Sequence, residues 1–156
     1  MISTATEADG PQIGDITARA GVFSQEEIDC VPEMFHEYLT YGTEGSGYHF
    51  IVYRDGGQVL GFAIYGPRDL TNGVFDLYWI AVDPEARFKG VGRALLTASE
   101  EAVRARGGRM LIAETSGTPD YASTRKFYLR MGYENEATIK DFYSVGDDLK
   151  IFTKHV

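Results

Sequence analysis

Apolar residues first recur at helical spacing at Ile28, Val31, Phe35, Tyr38 and Leu39, one face of a 3.6-residue period. Ser24 and Glu27 stand ahead of this run at the spacing of a capping box, so a helix is expected over Ser24–Leu39. Pro32 interrupts it, and Val31 before it is biased away from the helical region. The segment is therefore one kinked helix or two short ones, with Pro32 opening the second. Cys30 lies on this apolar segment and reads as a core residue. Gly42, Gly45 and Gly47 follow as a flexible connection. Ahead of the helix, Met1 to about Pro11 is small and polar and reads as a frayed tail.

Further along, the pattern changes to runs rich in β-branched and aromatic residues. Phe50–Tyr53 and Val59–Tyr65 flank the turn signal Asp55-Gly56-Gly57, which predicts a hairpin. Val74–Val82 is apolar on both faces apart from Asp76, as expected of a central, covered strand. Asp83-Pro84 ends it. A helix is expected from about Gly90 to Arg106, with Val91, Leu95, Ala98, Ala102 and Val103 as its apolar stripe. Gly107-Gly108 stops it. Met110–Thr115 reads as a short buried strand, and Asp120–Met131 as a helix stopped at Gly132. Tyr133–Phe142 and Leu149–Thr153 read as strands joined by a long connection, Ser144-Val145-Gly146-Asp147-Asp148. The order predicts an α/β (α+β) fold. Its mixed central sheet would hold about six to seven strands, flanked by helices.

Composition narrows the functional classes. At 156 residues the chain suits one domain, expected over residues 12–156 behind a flexible tail at 1–11. A chain of this size buries about 68–70% of its unfolded surface and needs no staples. Fifteen Lys and Arg against 23 Asp and Glu give a net charge of −8. That field disfavours nucleic acid and favours a cationic partner. The single cysteine excludes an intramolecular disulfide framework. His36, His49 and His155 are scattered, without a second ligand at metal spacing, so no metal is expected. No apolar run approaches the roughly 20 residues of a membrane helix, and the first residues have no signal-peptide pattern. A cytoplasmic location is the resulting expectation.

The chemistry concentrates after the third predicted strand. Ile80-Ala81-Val82-Asp83-Pro84 ends that strand, and Arg87-Phe88-Lys89-Gly90-Val91-Gly92-Arg93 leads into a helix. Such a turn exposes backbone N–H groups at a helix N-terminus, ready for an anion, and glycines admit a phosphate close to the backbone. The spacing does not fit a dinucleotide fingerprint, because Leu95 occupies the place of the third glycine. It lacks the Gly-Lys-Ser/Thr of an ATPase-type phosphate loop. Arg87-x-x-Gly90-x-Gly92 after this strand resembles the acetyl-CoA signature of the GNAT superfamily of N-acetyltransferases. A second segment, Phe127-Tyr128-Leu129-Arg130-Met131-Gly132-Tyr133, resembles that family's Phe-Tyr-x-x-x-Gly-Phe/Tyr. The two stand in the family's order, with a strand between them, and the likeness runs from about Tyr48 to the C-terminus. Tyr121 and Thr124 depart from the Asn and Ala often found ahead of Phe-Tyr.

The resemblance implies a fold, a co-substrate and residue roles. The pyrophosphate of acetyl-CoA would lie on main-chain N–H groups of Arg87, Phe88, Lys89, Gly90, Val91, Gly92 and Arg93. Arg87, Lys89 and Arg93 would add charge or stand as ordinary surface cations. The pantetheine arm would pair with Ile80, Ala81 and Val82 like an added strand, and a nearby main-chain N–H would hold the oxyanion. The acceptor would be a small-molecule or peptide amine. A lysine-like amine is neutral in only about one molecule in 2,500 at pH 7, so a base would help. Asp76 and Glu114 are the candidates, each set against a purely structural role. Tyr128 matches the family position that protonates the departing thiolate, with Phe127 as the core-facing ring. A homodimer is an option the family leaves open. The alternative is a non-catalytic acyl-CoA-binding or sensing module of the same shape. The acceptor region would be drawn from Ser24–Gly47 and from the Asp141–Asp148 hairpin.

Overall fold

The computed structural model describes residues 1–156 and contains seven strands and four α-helices. The strands are β1 (Ile2–Thr4), β2 (His49–Asp55), β3 (Gln58–Pro67), β4 (Val74–Val82), β5 (Met110–Ser116), β6 (Glu134–Ser144) and β7 (Asp147–His155). They form one mixed sheet, as the sequence pattern predicts, and its strand order is β1-β2-β3-β4-β5-β7-β6. Chain contacts divide the molecule into two units. The first is Met1–Gly66 with Tyr78–Glu101, and the second is Pro67–Leu77 with Ala102–Val156.

In the first unit, β1 pairs antiparallel with β2, Ile2 opposite Tyr53, and β2 pairs antiparallel with β3. Two helices, α1 (Gly10–Arg19) and α2 (Gln25–Ser46), supply the rest of its core. Ile13 and Ile16 of α1 and Val31, Phe35 and Tyr38 of α2 pack with Phe50, Val52, Phe62 and Ile64 of the hairpin. Phe35 meets Phe50 edge-on, with centroids 5.1 Å apart, a favoured aromatic geometry. The capping box at Ser24 and Glu27 forms as the sequence predicts.

Four expectations need correction here. Met1–Pro11 is not a frayed tail: it holds β1, a 3-10 turn over Glu7–Asp9 and the start of α1. Asp9 ties this segment down by pairing with Arg54 and accepting from the Thr6 amide. Helix α1 was not legible, because Gly10, Pro11 and Gly14 leave it a short inward face. Helix α2 continues through Pro32 to Ser46, and its kink falls at Gly42 (φ 70°, ψ −177°); most of the predicted glycine connection is therefore helical. Cys30 is exposed: it precedes buried Val31, and one residue along a helix turns a side chain by about 100°.

In the second unit, Val74–Leu77 of β4 pairs in parallel with Met110–Ala113 of β5. β5 pairs antiparallel with β7, and β7 with β6. The β6–β7 connection is the two-residue turn Val145-Gly146, not a five-residue one, because Ser144 pairs with Asp147. Helix α4 (Ala122–Arg130) buries Tyr128, while Phe127 is only half-buried. The core-facing ring is thus Tyr128, which packs on Tyr133 at 5.6 Å and Phe152 at 5.5 Å. No helix of the chain is long and apolar enough to cross a membrane.

Candidate functional site

The segment from β4 into helix α3 (Val91–Ala105) is continuous along the chain. Ala81 is buried, and Ile80 and Val82 are half-buried. Asp83 then caps a 3-10 turn over Pro84–Ala86, its Oδ1 accepting from the Glu85 amide at 2.9 Å. Residues Arg87–Gly90 are exposed. The first helical bond of α3 runs from Ala94 N to Gly90 O at 3.0 Å. The amides of Val91, Gly92 and Arg93 therefore have no partner within the helix, and the helix dipole adds partial positive charge there. Gly90 has φ 81°, and a Cβ built on it would meet nothing within 4 Å. Its left-handed backbone suits glycine, and the space beside it admits an anion.

Phe88 shares that left-handed region, with φ 64° and a fully solvent-exposed side chain. A bulky residue there is uncommon and costs about 1–3 kcal/mol. Two ties from α1 hold the chain on either side of the 3-10 turn. Arg19 donates from Nη2 and Nη1 to the two Asp83 oxygens at 2.7 and 3.1 Å. Arg87 Nη2 donates to the Ala20 carbonyl at 2.8 Å, so its guanidinium closes the end of α1. Lys89 and Arg93 are exposed. The Arg19 pairing, with a smaller contribution from the Glu85 amide, holds the Asp83 carboxyl below the usual range, against the effect of burial. Sequence reasoning missed both ties, since no periodic signal links residues 64 and 67 positions apart.

Asp76, Glu114 and Tyr128 lie in the other unit. Asp76 is buried on β4, opposite Ile112. Arg68, in the connection after β3, donates from Nε to both Asp76 oxygens at 3.0 Å. Its Nη2 donates to Glu114 Oε1 at 3.1 Å. The two candidate bases thus share one guanidinium. Their side chains differ in exposure, 12% for Asp76 and 37% for Glu114, and Arg68 reaches only one Glu114 oxygen. The Asp76 hydrogen bonds, reinforced by both carboxylates, push the Arg68 pKa up. Arg68 was not singled out from sequence; an arginine at the start of the connection before a lone strand carboxylate was the available signal. Burial pushes the Tyr128 phenol well above its ordinary value.

Comparison with known proteins shows the family. A family model described as an acetyltransferase (GNAT) domain matches residues 46–135, more than half of the chain. The chain belongs to the GNAT family of N-acetyltransferases. A solved structure from Desulfovibrio desulfuricans, assigned to the same family, is 40% identical with a TM-score of 0.96, over 99% of this chain and 98% of that one. A ribosomal-protein-alanine N-acetyltransferase from Brucella melitensis is 25% identical with a TM-score of 0.78, over 100% and 99% of the two chains. YncA from Salmonella typhimurium, solved with its cofactor acetyl-CoA, shares the fold at 19% identity and a TM-score of 0.75, over 99% and 92%. No curated protein matches the chain.

Proposed function

We propose that this chain transfers an acetyl group from acetyl-CoA directly to a primary amine within a ternary complex. The observation that carries the proposal is the open row of amides at Val91–Arg93 beside Gly90, directly after β4, in a chain of this family. Those amides and the α3 dipole suit a pyrophosphate, and the main chain of Ile80–Val82 offers bonds to an extended pantetheine arm. Acetyl-CoA, when bound, supplies an activated acyl thioester. Glu114 is the better-placed base, because Oε2 stays free to take the amine proton directly or through water. Asp76 anchors Arg68, which in turn fixes Glu114.

Tyr128 acts on the departing sulfur from Oη. Its raised pKa keeps the phenol protonated across the working pH range. Full transfer to a thiolate whose conjugate acid has a pKa near 8.5 would run uphill. Tyr128 therefore serves as a hydrogen-bond donor that stabilises developing charge on sulfur. The proton lost by the amine balances the one the free thiol finally carries. A cationic acceptor suits the net charge of −8 and helix α2, whose 22 residues include six carboxylates and no Lys or Arg.

The test is calorimetric titration with acetyl-CoA, followed by thiol release with polyamines, amino acids, aminoglycosides, and peptides offering a free N-terminus or lysine. Binding together with amine-dependent release is expected. Binding without release for any amine would indicate an acyl-CoA-binding module instead, and absence of binding would overturn the loop assignment.

A further inference from the structure

Carbonyls at the end of a strand leave the ladder and need other partners. At the end of β5 the chain turns through Ser116, Gly117 and Thr118 ahead of α4, and this turn is bonded from two sides. From the β6–β7 hairpin, the Asp147 carboxylate accepts from Ser116 Oγ, and the Asp148 carbonyl accepts from the Gly117 amide at 2.9 Å. Ser116 Oγ also accepts from the Thr118 amide at 3.1 Å. From α4, Arg125 Nη1 donates to the Ser116 carbonyl at 2.8 Å and the Thr118 carbonyl at 2.7 Å. One side chain thus ties the helix to both ends of the turn.

Arg125 stands three residues before Tyr128, so the two are neighbours along one helix face. Packing on Tyr133 and Phe152 surrounds the Tyr128 ring, and burial is the one cause of its raised pKa. Ring packing resists tilting but supplies no polar anchor for the hydroxyl. The placement of Oη then depends on where α4 itself is pinned: Lys154 holds the Met131 carbonyl past its C-terminal end at 2.9 Å, and Arg125 is the side chain of α4 that fixes the helix to the end of β5. We propose that Arg125 is a positioning residue for Tyr128: by clamping α4 to the end of β5, it sets where the phenol donates. This inference rests on the role assigned to Tyr128 above.

The experiment is a double-mutant cycle with Arg125→Gln and Tyr128→Phe. Kinetics with acetyl-CoA and an accepted amine are combined with calorimetric affinity for acetyl-CoA. Misplacing a reacting group by about 1 Å costs on the order of 100-fold, so Arg125→Gln should lower kcat by about 10- to 100-fold. Acetyl-CoA affinity should stay within about twofold. In the Tyr128→Phe background the same change should lower kcat by less than about twofold, because the hydroxyl it positions is gone. Arg125→Lys keeps a cationic donor on a shorter stem and should recover part of the loss. Equal losses in both backgrounds, or a loss confined to acetyl-CoA affinity, would overturn the proposal while leaving the Tyr128 role intact. A Tyr128→Phe enzyme with unchanged kcat would remove the Tyr128 role and this proposal with it. If Arg125→Gln fails to fold, Arg125→Lys in both backgrounds makes the same comparison.

Discussion

Residues Arg87–Arg93 offer main-chain amides and leave most of their side chains in solvent, whereas Arg68, Asp76 and Glu114 commit their side chains to one another. The first arrangement depends on backbone shape. It should tolerate side-chain changes except where a glycine leaves room for the ligand. The second depends on charge pairing, so an isosteric change at a single carboxylate should be felt. The difference separates two ways of making a charged site. In one, the protein lends partial charges fixed by a helix; in the other, it must balance full charges that cost desolvation.

The most severe way to break this comparison is to put bulk and charge where the backbone is meant to be bare. Gly92→Glu is expected to reduce acetyl-CoA affinity by on the order of 1,000-fold, since like-charge juxtaposition costs several kcal/mol. Calorimetry reads this directly. Unchanged affinity would mean that the pyrophosphate does not lie on this loop. Arg87→Ala is the matching control on a side chain of the same loop. Its guanidinium is occupied by the Ala20 carbonyl, so affinity should change by less than about threefold.

A smaller effect sharpens the other half. If Glu114 is the base and Asp76 the anchor, Glu114→Gln should lower kcat/KM by about 10- to 100-fold, at the modest end of general-base contributions, with little change in thermal stability. Asp76→Asn should do the opposite. It removes the charge that pairs with Arg68, whose side chain is 45% exposed, and should cost about 1 kcal/mol of stability after solvent screening, with a smaller loss of activity. Paired thermal melts and steady-state kinetics separate the two. The reverse pattern would make Asp76 the base.

The same contrast governs how much could be read from the sequence. The turn from β4 into α3 was legible because Asp83-Pro84 ends an apolar run and glycines precede a helical stripe, whereas its reading as an anion loop came from the resemblance of Arg87-x-x-Gly90-x-Gly92 to the family signature. Strands β3, β4 and β5 were legible because their apolar runs are continuous. Strand β1 was not, since three residues carry no period and its partner β2 lies about fifty positions away. Of the carboxylate centre, Asp76 stood out as a lone charge in an apolar strand, but Arg68 did not. Which of fifteen cations folds back onto a given carboxylate is decided by tertiary approach. Phe127 and Tyr128 were exchanged for a related reason: adjacent helical positions differ by 100°, and sequence alone did not fix the face of α4.

Asp83 belongs to both halves of the comparison, because a paired carboxylate supports the backbone loop. Its side chain is only 4% exposed and is bound by Arg19 and the Glu85 amide. Its pKa in the folded chain lies below the ordinary carboxylate value, so the pairing stabilises the fold above that ordinary value of about 4. The contribution is lost as pH falls through the depressed folded-state pKa. Asp83→Asn keeps the shape but removes the charge. It should lower stability by about 1 kcal/mol near pH 7, with Arg19 partly in solvent and the pair screened. That corresponds to about 2–4 °C in Tm for a domain of this size. The gap between the two proteins should hold down to about pH 5 and narrow below pH 4. Asp9 titrates in both proteins, so it cancels in the comparison. A gap that stays constant down to pH 2 would mean that Asp83 supports the loop through shape and hydrogen bonding rather than charge. The loop would then owe nothing to the paired-charge design that marks the carboxylate centre.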